Sequence, residues 1–261
     1  MIHQLRLFLI ALQFLTRVPV PRSVGYEAAW LNQSARHFPA VGLLVGLVGA
    51  GVLWGALQWW PLPVAVGLSM ATTLWLTGAF HEDGLADTLD GLGGAADRER
   101  ALQIMKDSRI GAYGAIGLIV VLGLKAVTLA SMAPWLAMPA LLLMHAASRG
   151  CATLVMKALR YAGDAAHAKA KPLVQQVSNA TAVIATGWVV LIAVALGVLG
   201  WLPARSIIAA LVAAAITTVA MAAWLQRRLG GYTGDGLGAT QQFAELAGLL
   251  GASAAYGLLP S

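Results

Sequence analysis

The sequence predicts an all-α polytopic membrane protein with about seven transmembrane helices and an N-terminal interfacial or re-entrant helix. Of its 261 residues, 59% are hydrophobic and only 11% are charged, which is too apolar for a soluble domain of this length. Apolar runs of about twenty residues recur, and each is long enough to cross a hydrocarbon core of roughly 30 Å. We therefore expect residues 1–261 to form a single integral membrane domain.

The first segment differs from the others. Residues 5–18 have helical spacing of apolar side chains and end at Pro19 and Pro21, which is typical of an interfacial or re-entrant helix rather than a full span. The candidate spans that follow are at about 38–60, 62–80, 112–133, 135–156, 181–202, 205–225 and 239–258.

The charges of the connections predict the orientation of these spans. The turns before Pro61 and at Pro134 carry no charge, and the turn at Pro203 carries only Arg205, whereas the other connections hold several basic residues. The positive-inside rule then places the N-terminus in the cytoplasm and the C-terminus outside. An aromatic belt is expected on the uncharged side, at Trp59, Trp60, Trp135 and Trp201. The net charge of +6 is explained by topology and membrane lipid, so no nucleic-acid partner is expected.

Three charged connections share the predicted cytoplasmic side, at about 81–111, 157–180 and 226–238. We expect them to be the catalytic loops and to converge on one site. Cation-coupled transporters usually place their charges near the middle of the membrane. This chain concentrates them at one interface, which favours an enzyme over a transporter.

A short acidic run follows the second candidate span. Residues 81–91 contain four carboxylates, and seven of the eleven acidic residues of the chain fall within residues 82–107. If the run is helical, Asp83, Asp87 and Asp90 share one face at i, i+4 and i+7. Carboxylates stacked in this way repel one another unless a cation lies between them, and hard oxygen ligands favour Mg²⁺, Mn²⁺ or Ca²⁺. The alternative is a solvated acidic loop; the glycines, the spacing and the membrane setting favour the metal site.

A glycine-rich run at 230–240 partly echoes the acidic run, because residues 235–240 share four of six letters with residues 83–88. Its glycines allow close backbone approach and suit phosphate binding at the start of a helix. Asp235 favours a role in holding a metal that binds phosphate; the alternative is a flexible turn between two spans. Glu245 lies within the next apolar helix, where an ionisable group predicts function.

A third run, at 106–114, carries Lys106 and Arg109 just before a glycine-containing span. Cations three residues apart at a membrane surface are suited to a diphosphate. The alternative is an ordinary positive-inside flank, and we prefer that interpretation for Arg98 and Arg100.

Lys125 and Arg149 lie inside predicted spans, where a charge must find a partner or water. They are expected to pair with acidic residues in the bundle, or Arg149 reaches a substrate cavity. His81 adjoins the acidic run and is a candidate base. Acidic metal ligands, glycines and cations together indicate phosphoryl or nucleotidyl transfer. No GxxxxGK[ST] sequence is present, which disfavours ATP hydrolysis.

These motifs carry a family resemblance that runs from end to end of the chain. The residues at 14–19, 81–91, 104–111 and 230–235 resemble cobalamin synthase, the adenosylcobinamide-GDP ribazoletransferase family, in the same order and spacing. The first acidic motif also distantly resembles the CDP-alcohol phosphotransferases. Their Ala-Arg after Asp-Gly and their wider aspartate spacing are not met here.

The resemblance implies an Mg²⁺-dependent enzyme of the bacterial cytoplasmic (inner) membrane whose active site faces the cytoplasm. It would join adenosylcobinamide-GDP to α-ribazole, or to its 5′-phosphate, and release GMP. The alternatives are a CDP-alcohol phosphotransferase, which would release CMP, and a cation-coupled transporter. A homo-oligomer is compatible with the sequence.

Residue chemistry then assigns roles within this scheme. The expected metal ligands are Glu82, Asp83, Asp87, Asp90 and Asp107. The base that accepts the hydroxyl proton would be one of the carboxylates or His81. The expected substrate-binding residues are Lys106, Arg109, Arg149, Asp235 and Glu245.

Overall fold

The protein is described here by a computed structural model that covers residues 2–25, 27–163 and 177–257. Within these ranges the regular structure is helical, apart from one isolated parallel bridge between Tyr161 and Tyr232. The α-helices, in chain order, are α1 (Ile2–Leu15), α2 (Ala28–Ser34), α3 (Phe38–Ala56), α4 (Leu62–Thr77), α5 (Phe80–Gly94), α6 (Arg98–Ile104), α7 (Ala112–Ser131), α8 (Pro134–Ala158), α9 (Asn179–Val198), α10 (Ala204–Leu229) and α11 (Gly234–Gly257).

The predicted class, an all-α polytopic membrane protein, is confirmed. Five helical segments in the described residues are long and apolar enough to cross a membrane: Ala28–Ala56, Ala112–Ser131, Pro134–Ala158, Asn179–Val198 and Ala204–Leu229. A sixth is counted if α4 and α5, which meet at 87°, form one broken span. The predicted span at 239–258 forms α11 but is not among the five. Its polar residues Gln241, Gln242 and Glu245 give it a less apolar composition.

Helix α8 lies at the centre of the bundle and is largely buried. It packs closely against α3, α9, α10 and α11. Gly42 and Gly46 let α3 approach it: a Cβ atom on Gly46 would lie 2.9 Å from the Cα atom of Leu142, and one on Gly42 would overlap the carbonyl of His145. Small residues four apart are a common means of close packing between membrane helices.

The outer helices present apolar side chains outward. Ile116 and Ile119 on α7, Val194 on α9, and Ile208 and Ile216 on α10 are all more than half exposed. Such a surface is stable against lipid tails but not in water.

One end of the bundle carries tryptophans. Trp135 and Trp201 are half exposed and line one groove. Tyr256 of α11 packs edge-on against Trp135, with ring centroids 5.2 Å apart, and lies under the guanidinium of Arg205. The acidic and basic motifs lie in other connections.

The connection at 81–111 was expected to be a loop, but most of it is helical, as α5 and α6. It contains no proline, and Gly84 and Gly91 in α5 are both buried at close contacts. The loss of glycine conformational entropy is offset by this packing. Of the predicted connection at 157–180, residues 164–176 lie outside the described part of the chain.

Candidate active site

The acidic motif forms α5, which begins at a sharp bend after α4. Gly78 and Ala79 both have left-handed backbone angles, with φ of 68° and 55°. Such an angle is uncommon for alanine and indicates a bend that the surroundings enforce. Arg17 provides part of that restraint, since its backbone N–H donates to the Leu76 carbonyl at 2.8 Å and its guanidinium covers Gly78. The bend turns α5 by 87° relative to α4.

The helix aligns an aromatic ring and two carboxylates on one face. Phe80, Asp83 and Asp87 are spaced i, i+3 and i+7, so they project from the same side of α5. Asp83 is exposed and Asp87 is partly exposed. The helix thus presents these two carboxylates, one turn apart, to the outside of the bundle.

The glycine-rich motif begins α11 and packs directly against the acidic motif. Thr233 starts α11, because its Oγ1 accepts the backbone N–H of Gly236 at 3.0 Å. A Cβ atom on Gly84 would lie 2.9 Å from the Cα atom of Asp235, and one on Gly238 would lie 3.0 Å from the His81 carbonyl oxygen. The glycines of both motifs therefore permit the contact, which brings Asp235 beside the acidic face of α5.

The three charged connections meet at this end of the bundle in the residues that the structure describes. The backbone of residues 160–162 pairs with Tyr232, whose N–H donates to Arg160 at 2.9 Å. Arg98 donates from Nε to the Leu229 carbonyl at 2.7 Å and from Nη2 to Ala162 at 3.0 Å.

Arg98 was expected to be an ordinary positive-inside flank; in the structure its guanidinium also joins the three connections. Arg228 has a similar role, because it donates to the carbonyls of Leu92 and Ala95 near the end of α5. Arg100, in contrast, is exposed and contacts Gln103 one turn along α6.

Asp90, expected to be a metal ligand, caps the start of α7. Its two carboxylate oxygens accept the backbone N–H groups of Gly111 and Gly114 at 2.7 and 2.8 Å. A carboxylate at the first turn of a helix neutralises unpaired N–H groups and the positive end of the helix dipole. A side chain on either glycine would overlap the Asp90 carboxylate, which explains the glycines at these positions.

In the described residues, no three His, Cys, Asp or Glu side chains converge in a way that could hold a metal ion. The donor set on α5 nevertheless fits Mg²⁺. That ion is commonly held by one or two carboxylates together with water and substrate phosphates. Asp83 and Asp87, one turn apart and accessible from outside, provide such a pair.

The basic run at 106–111 follows α6 and is tied to the end of α5 through Asp90. Arg109 is 86% exposed in its side chain, and its Nη2 lies 2.6 Å from Asp107 Oδ2. The hydrogen bonds from Arg109 lower the pKa of Asp107 to about 2. Asp107 therefore stays ionised and paired with Arg109 at neutral pH. Lys106 is exposed on the same connection.

Glu245 lies in a buried network rather than on a substrate-facing surface. It is 1% exposed and accepts hydrogen bonds from Lys125 at 2.7 Å, Ser148 at 3.2 Å and Gln241 at 2.6 Å. His145 Nδ1 is also 3.1 Å from its carboxylate. The expected pairing of Lys125 with an acidic residue of the bundle is confirmed.

The buried network extends to the acidic helix. Gln242 accepts from Lys125 and donates to Glu82 Oε1 at 2.7 Å, so the first turn of α5 is joined to α7 and α11. Arg149 is 2% exposed and donates to the His145 carbonyl at 2.9 Å. Two carboxylates, Glu82 and Glu245, thus balance two cations. Balanced charge is what a buried ionic cluster requires.

Two cavities flank His81 and Arg149. The first is polar and is lined by Glu82, Lys125 and Glu245 in addition to these two residues. Glu82 Oε2 and Arg149 Nε are buried without a hydrogen-bond partner. Arg149 was expected to pair with acidic residues of the bundle or to reach a substrate cavity, and it lies in this buried cluster. Glu82 was expected to be a metal ligand, but its side chain is buried here and bonded to Gln242.

The second cavity is mainly apolar and aromatic, and we call it the aromatic chamber. Its rings are those of Phe14, Phe38, Phe80, Tyr161 and Tyr232, and His81 and Arg149 also line it. Burial and the neighbouring Tyr161 raise the pKa of Tyr232 to about 12, so its hydroxyl is neutral at physiological pH. Sequence analysis missed this chamber, because its aromatic residues come from five separate segments of the chain.

The fold and the site together define a class: a multi-pass membrane protein with an acidic helix and flanking cations at the converging connections of its bundle. A family model described as cobalamin-5-phosphate synthase matches residues 7–253, and the chain belongs to that family. The family predicted from the motifs is therefore confirmed.

Curated relatives cover almost the whole chain. The adenosylcobinamide-GDP ribazoletransferase of Leptothrix cholodnii is 57% identical over 258 residues, covering 96% of each protein. Proteins of the same name from a Polaromonas species and from Vibrio cholerae are each 43% identical, and cover 94% of this chain and 95% and 92% of their own lengths. No solved structure matches the chain significantly. The relatives' name describes a transferase, and the chain is accordingly a membrane-bound transferase.

Proposed function

We propose that the protein joins adenosylcobinamide-GDP to α-ribazole, or to its 5′-phosphate, and releases GMP. The name of the relatives supports the first substrate. The observation that carries the proposal is the pair Asp83, which is exposed, and Asp87, which is partly exposed, on α5. The pair lies beside Asp235 where the charged connections meet. A diphosphate held by a hard cation needs carboxylates of this kind and cations nearby.

Mg²⁺ is the metal that we propose for this face. Asp83 and Asp87 would hold it, with Asp235 beside them. When bound, Mg²⁺ would neutralise the diphosphate oxygens and stabilise the departing phosphate. Asp90 and Asp107 already bind the α7 N-terminus and Arg109, respectively. We therefore propose that these two position the site.

The proposed transfer exchanges one phosphoanhydride bond for one phosphate ester bond. The 3′-hydroxyl oxygen of the ribose attacks the phosphorus that carries the cobinamide arm and forms the new P–O bond. The bond from that phosphorus to the bridging oxygen breaks, and its electron pair leaves with GMP. The hydroxyl proton passes to a carboxylate of the site or to His81.

The basic connection would hold the diphosphate. Lys106 and Arg109 lie on the segment that Asp90 ties to α5. The guanidinium of Arg109 is largely exposed and can bind phosphate oxygens in a bidentate manner. It would exchange its contact with Asp107 for one with the substrate.

We also propose that this end of the bundle faces the cytoplasm in a bacterial inner membrane. The basic residues of the connections, among them Arg98, Arg100 and Arg228, support this orientation. A reporter inserted near Ala96 should be active only as a cytoplasmic fusion. A periplasmic signal at that position would contradict the orientation.

The function is tested with purified protein in lipid nanodiscs. Adenosylcobinamide-GDP and α-ribazole with Mg²⁺ should yield GMP and a cobalamin in equal amounts. A CDP-alcohol phosphotransferase would instead release CMP from a CDP-linked lipid precursor with an alcohol acceptor. Release of CMP without any cobalamin would show that the second candidate is correct.

A further inference from the structure

Helix α11 holds α5 on both sides of Asp83, the exposed carboxylate that we place at the metal. Asp235 and Gln242 are about two turns apart on α11, so they share the face that meets α5. Gln242 Nε2 donates to Glu82 Oε1 at 2.7 Å. A Cβ atom on Gly84 would lie 2.9 Å from the Cα atom of Asp235. The residue before Asp83 and the residue after it are therefore both fixed by α11.

Gln242 uses both groups of its amide, and its partners determine which way the amide is turned. Lysine can only donate and a carboxylate can only accept, so Oε1 faces Lys125 Nζ at 3.0 Å and Nε2 faces Glu82. Gln242 is 2% exposed and Glu82 is 9% exposed. A buried carboxylate is costly unless it is hydrogen-bonded, so this bond keeps Glu82 inside the bundle. Because successive helix residues are about 100° apart, an inward Glu82 leaves Asp83 on the exposed side.

The turn that carries Asp83 needs such a restraint, because it begins at a strained bend. Ala79 has a φ of 55°, and its carbonyl accepts the backbone N–H of Asp83 at 2.9 Å. A left-handed angle at alanine persists only where the surroundings enforce it. Arg17 restrains the α4 side of the bend. On the α5 side, the bond between Gln242 and Glu82 provides a restraint about one turn after Ala79.

We propose that Gln242 is a positioning residue for the proposed metal site and acts through its bond to Glu82. By holding Glu82 inside the bundle, it sets the direction of Asp83 and thus the affinity of the acidic face of α5 for Mg²⁺. This inference rests on the proposed function and adds a buried residue that acts on the site from within the bundle. Groups that orient metal ligands without binding the metal change metal affinity roughly ten- to hundredfold when they are replaced.

Reversing the direction of the hydrogen bond between Gln242 and Glu82 tests this role. Gln242→Glu removes the donor and puts a second carboxylate against Glu82. The double variant that adds Glu82→Gln supplies the donor from position 82 and keeps the number of buried carboxylates. Mn²⁺, which suits the same oxygen ligands, is the probe, and its binding is measured by EPR without substrate in phosphatidylcholine nanodiscs. Gln242→Glu should raise the Kd for Mn²⁺ roughly ten- to hundredfold, and the double variant should recover most of the loss.

Ser148 provides the control, because it is bonded to Glu245 and Gln241 at the other end of the same network. Ser148→Ala should lower the unfolding temperature but leave the Kd for Mn²⁺ within about twofold of the wild-type value. If Gln242→Glu does not fold, Gln242→Asn takes its place. Its amide is one methylene shorter and cannot reach Lys125 and Glu82 together, so it should also raise the Kd for Mn²⁺.

The Mg²⁺ concentration that gives half-maximal GMP release is the second readout. It should move by the same factor as the Kd for Mn²⁺, while KM for α-ribazole stays unchanged. The proposed function fails if the wild-type protein forms no cobalamin. If it does form cobalamin, the positioning role is overturned by a wild-type protein that binds no Mn²⁺ or by wild-type Mn²⁺ affinity in the folded Gln242 variant. A double variant that recovers no affinity, or an equal rise in Kd for Ser148→Ala, would also overturn it.

Discussion

Replacing Asp90 by asparagine tests whether this carboxylate is structural. Asp83 and Asp87 are the two carboxylates that we place at the metal. Asp90 accepts backbone N–H groups from Gly111 and Gly114, whereas Asp83 is exposed. Asparagine keeps one acceptor oxygen but turns its amide group toward the second N–H. The Asp90→Asn variant therefore loses one charge-assisted hydrogen bond and leaves one donor at the start of α7 without an acceptor.

The magnitude follows from these contacts. An unsatisfied buried donor costs about 1–3 kcal/mol, and the lost charge at the helix start adds about 0.3–1 kcal/mol. A total of about 1.3–4 kcal/mol would lower Tm by roughly 3–16 °C at 2–4 °C per kcal/mol. Asp83→Asn should change stability by less than about 0.5 kcal/mol, because surface substitutions have small effects. Both variants should lose turnover.

The assay compares thermal unfolding of the purified variants in detergent with and without Mg²⁺, beside their rates of GMP release. Asp90→Asn should unfold at a lower temperature than Asp83→Asn in the absence of Mg²⁺, and Mg²⁺ should narrow the difference, because only Asp90→Asn keeps both proposed metal ligands. An Asp90→Asn variant that unfolds at the wild-type temperature would refute the capping role of Asp90. A stability loss in Asp83→Asn as large as that in Asp90→Asn would refute the assignment of Asp83 to a solvent-facing metal site.

The remaining predictions concern cations and buried groups. Arg109→Lys should slow turnover by a factor that corresponds to roughly 1.5–3 kcal/mol, because an ammonium cannot bind two phosphate oxygens as a guanidinium does; the exposed Arg227→Lys is the control, and equal defects in both would count against the phosphate role. Lys125→Met should destabilise the fold by about 3–5 kcal/mol, because it leaves the Glu245 carboxylate as a lone buried charge. Adding Glu245→Gln should restore part of the lost stability in a double-mutant cycle. Additive losses of stability would contradict the pairing of Lys125 with Glu245. The folded-state pKa of Tyr232 is raised from 10.0 to about 12, so its contribution to stability is present below pH 10.0 and is lost as the pH rises through about 12. Tyr232→Phe should remove this alkaline loss of stability. The same loss of stability at alkaline pH in Tyr232→Phe would contradict the assignment to Tyr232.

The helices could be predicted because each depends on residues that are close together in the sequence. Long apolar runs predict spans, and six of the seven predicted spans agree with helices to within a few residues, such as 181–202 with Asn179–Val198. The i, i+4, i+7 spacing of the aspartates could be interpreted only if the run was helical, and it is. Motif order along the chain was enough to predict the family.

The spacing of the aspartates along the sequence did not show which of them caps a helix and which faces outward. Asp90 follows Asp87 by three residues, which is the spacing expected of a third ligand on the same helix face. Its partners are nevertheless Gly111 and Gly114, which lie more than twenty residues further along the chain. Two glycines just before a predicted span could have suggested a capped helix start. The sequence does not indicate which acidic residue provides the cap.

The other contacts that the sequence did not predict join residues far apart in the chain. Arg98 has the appearance of a topological charge, but its acceptors are carbonyls of Leu229 and Ala162. His145 carried no pattern of its own and proves to be a neighbour of Glu245. Such contacts depend on how the helices pack, for example α8 against α11. The periodic spacing of residues within one helix does not predict that packing.

The Mg²⁺ dependence of turnover tests most directly the claim that the exposed face of α5 holds the diphosphate through a metal. GMP release is measured across a Mg²⁺ titration for the wild-type protein, for Asp83→Asn and for Asp87→Asn, with each variant confirmed as folded by its unfolding temperature. We expect no turnover by the wild-type protein after chelation. Both variants should require far more Mg²⁺ or remain inactive, since loss of a metal ligand costs several kcal/mol, on the order of a thousandfold in rate. Wild-type rates at the same Mg²⁺ concentration in both variants would contradict the account.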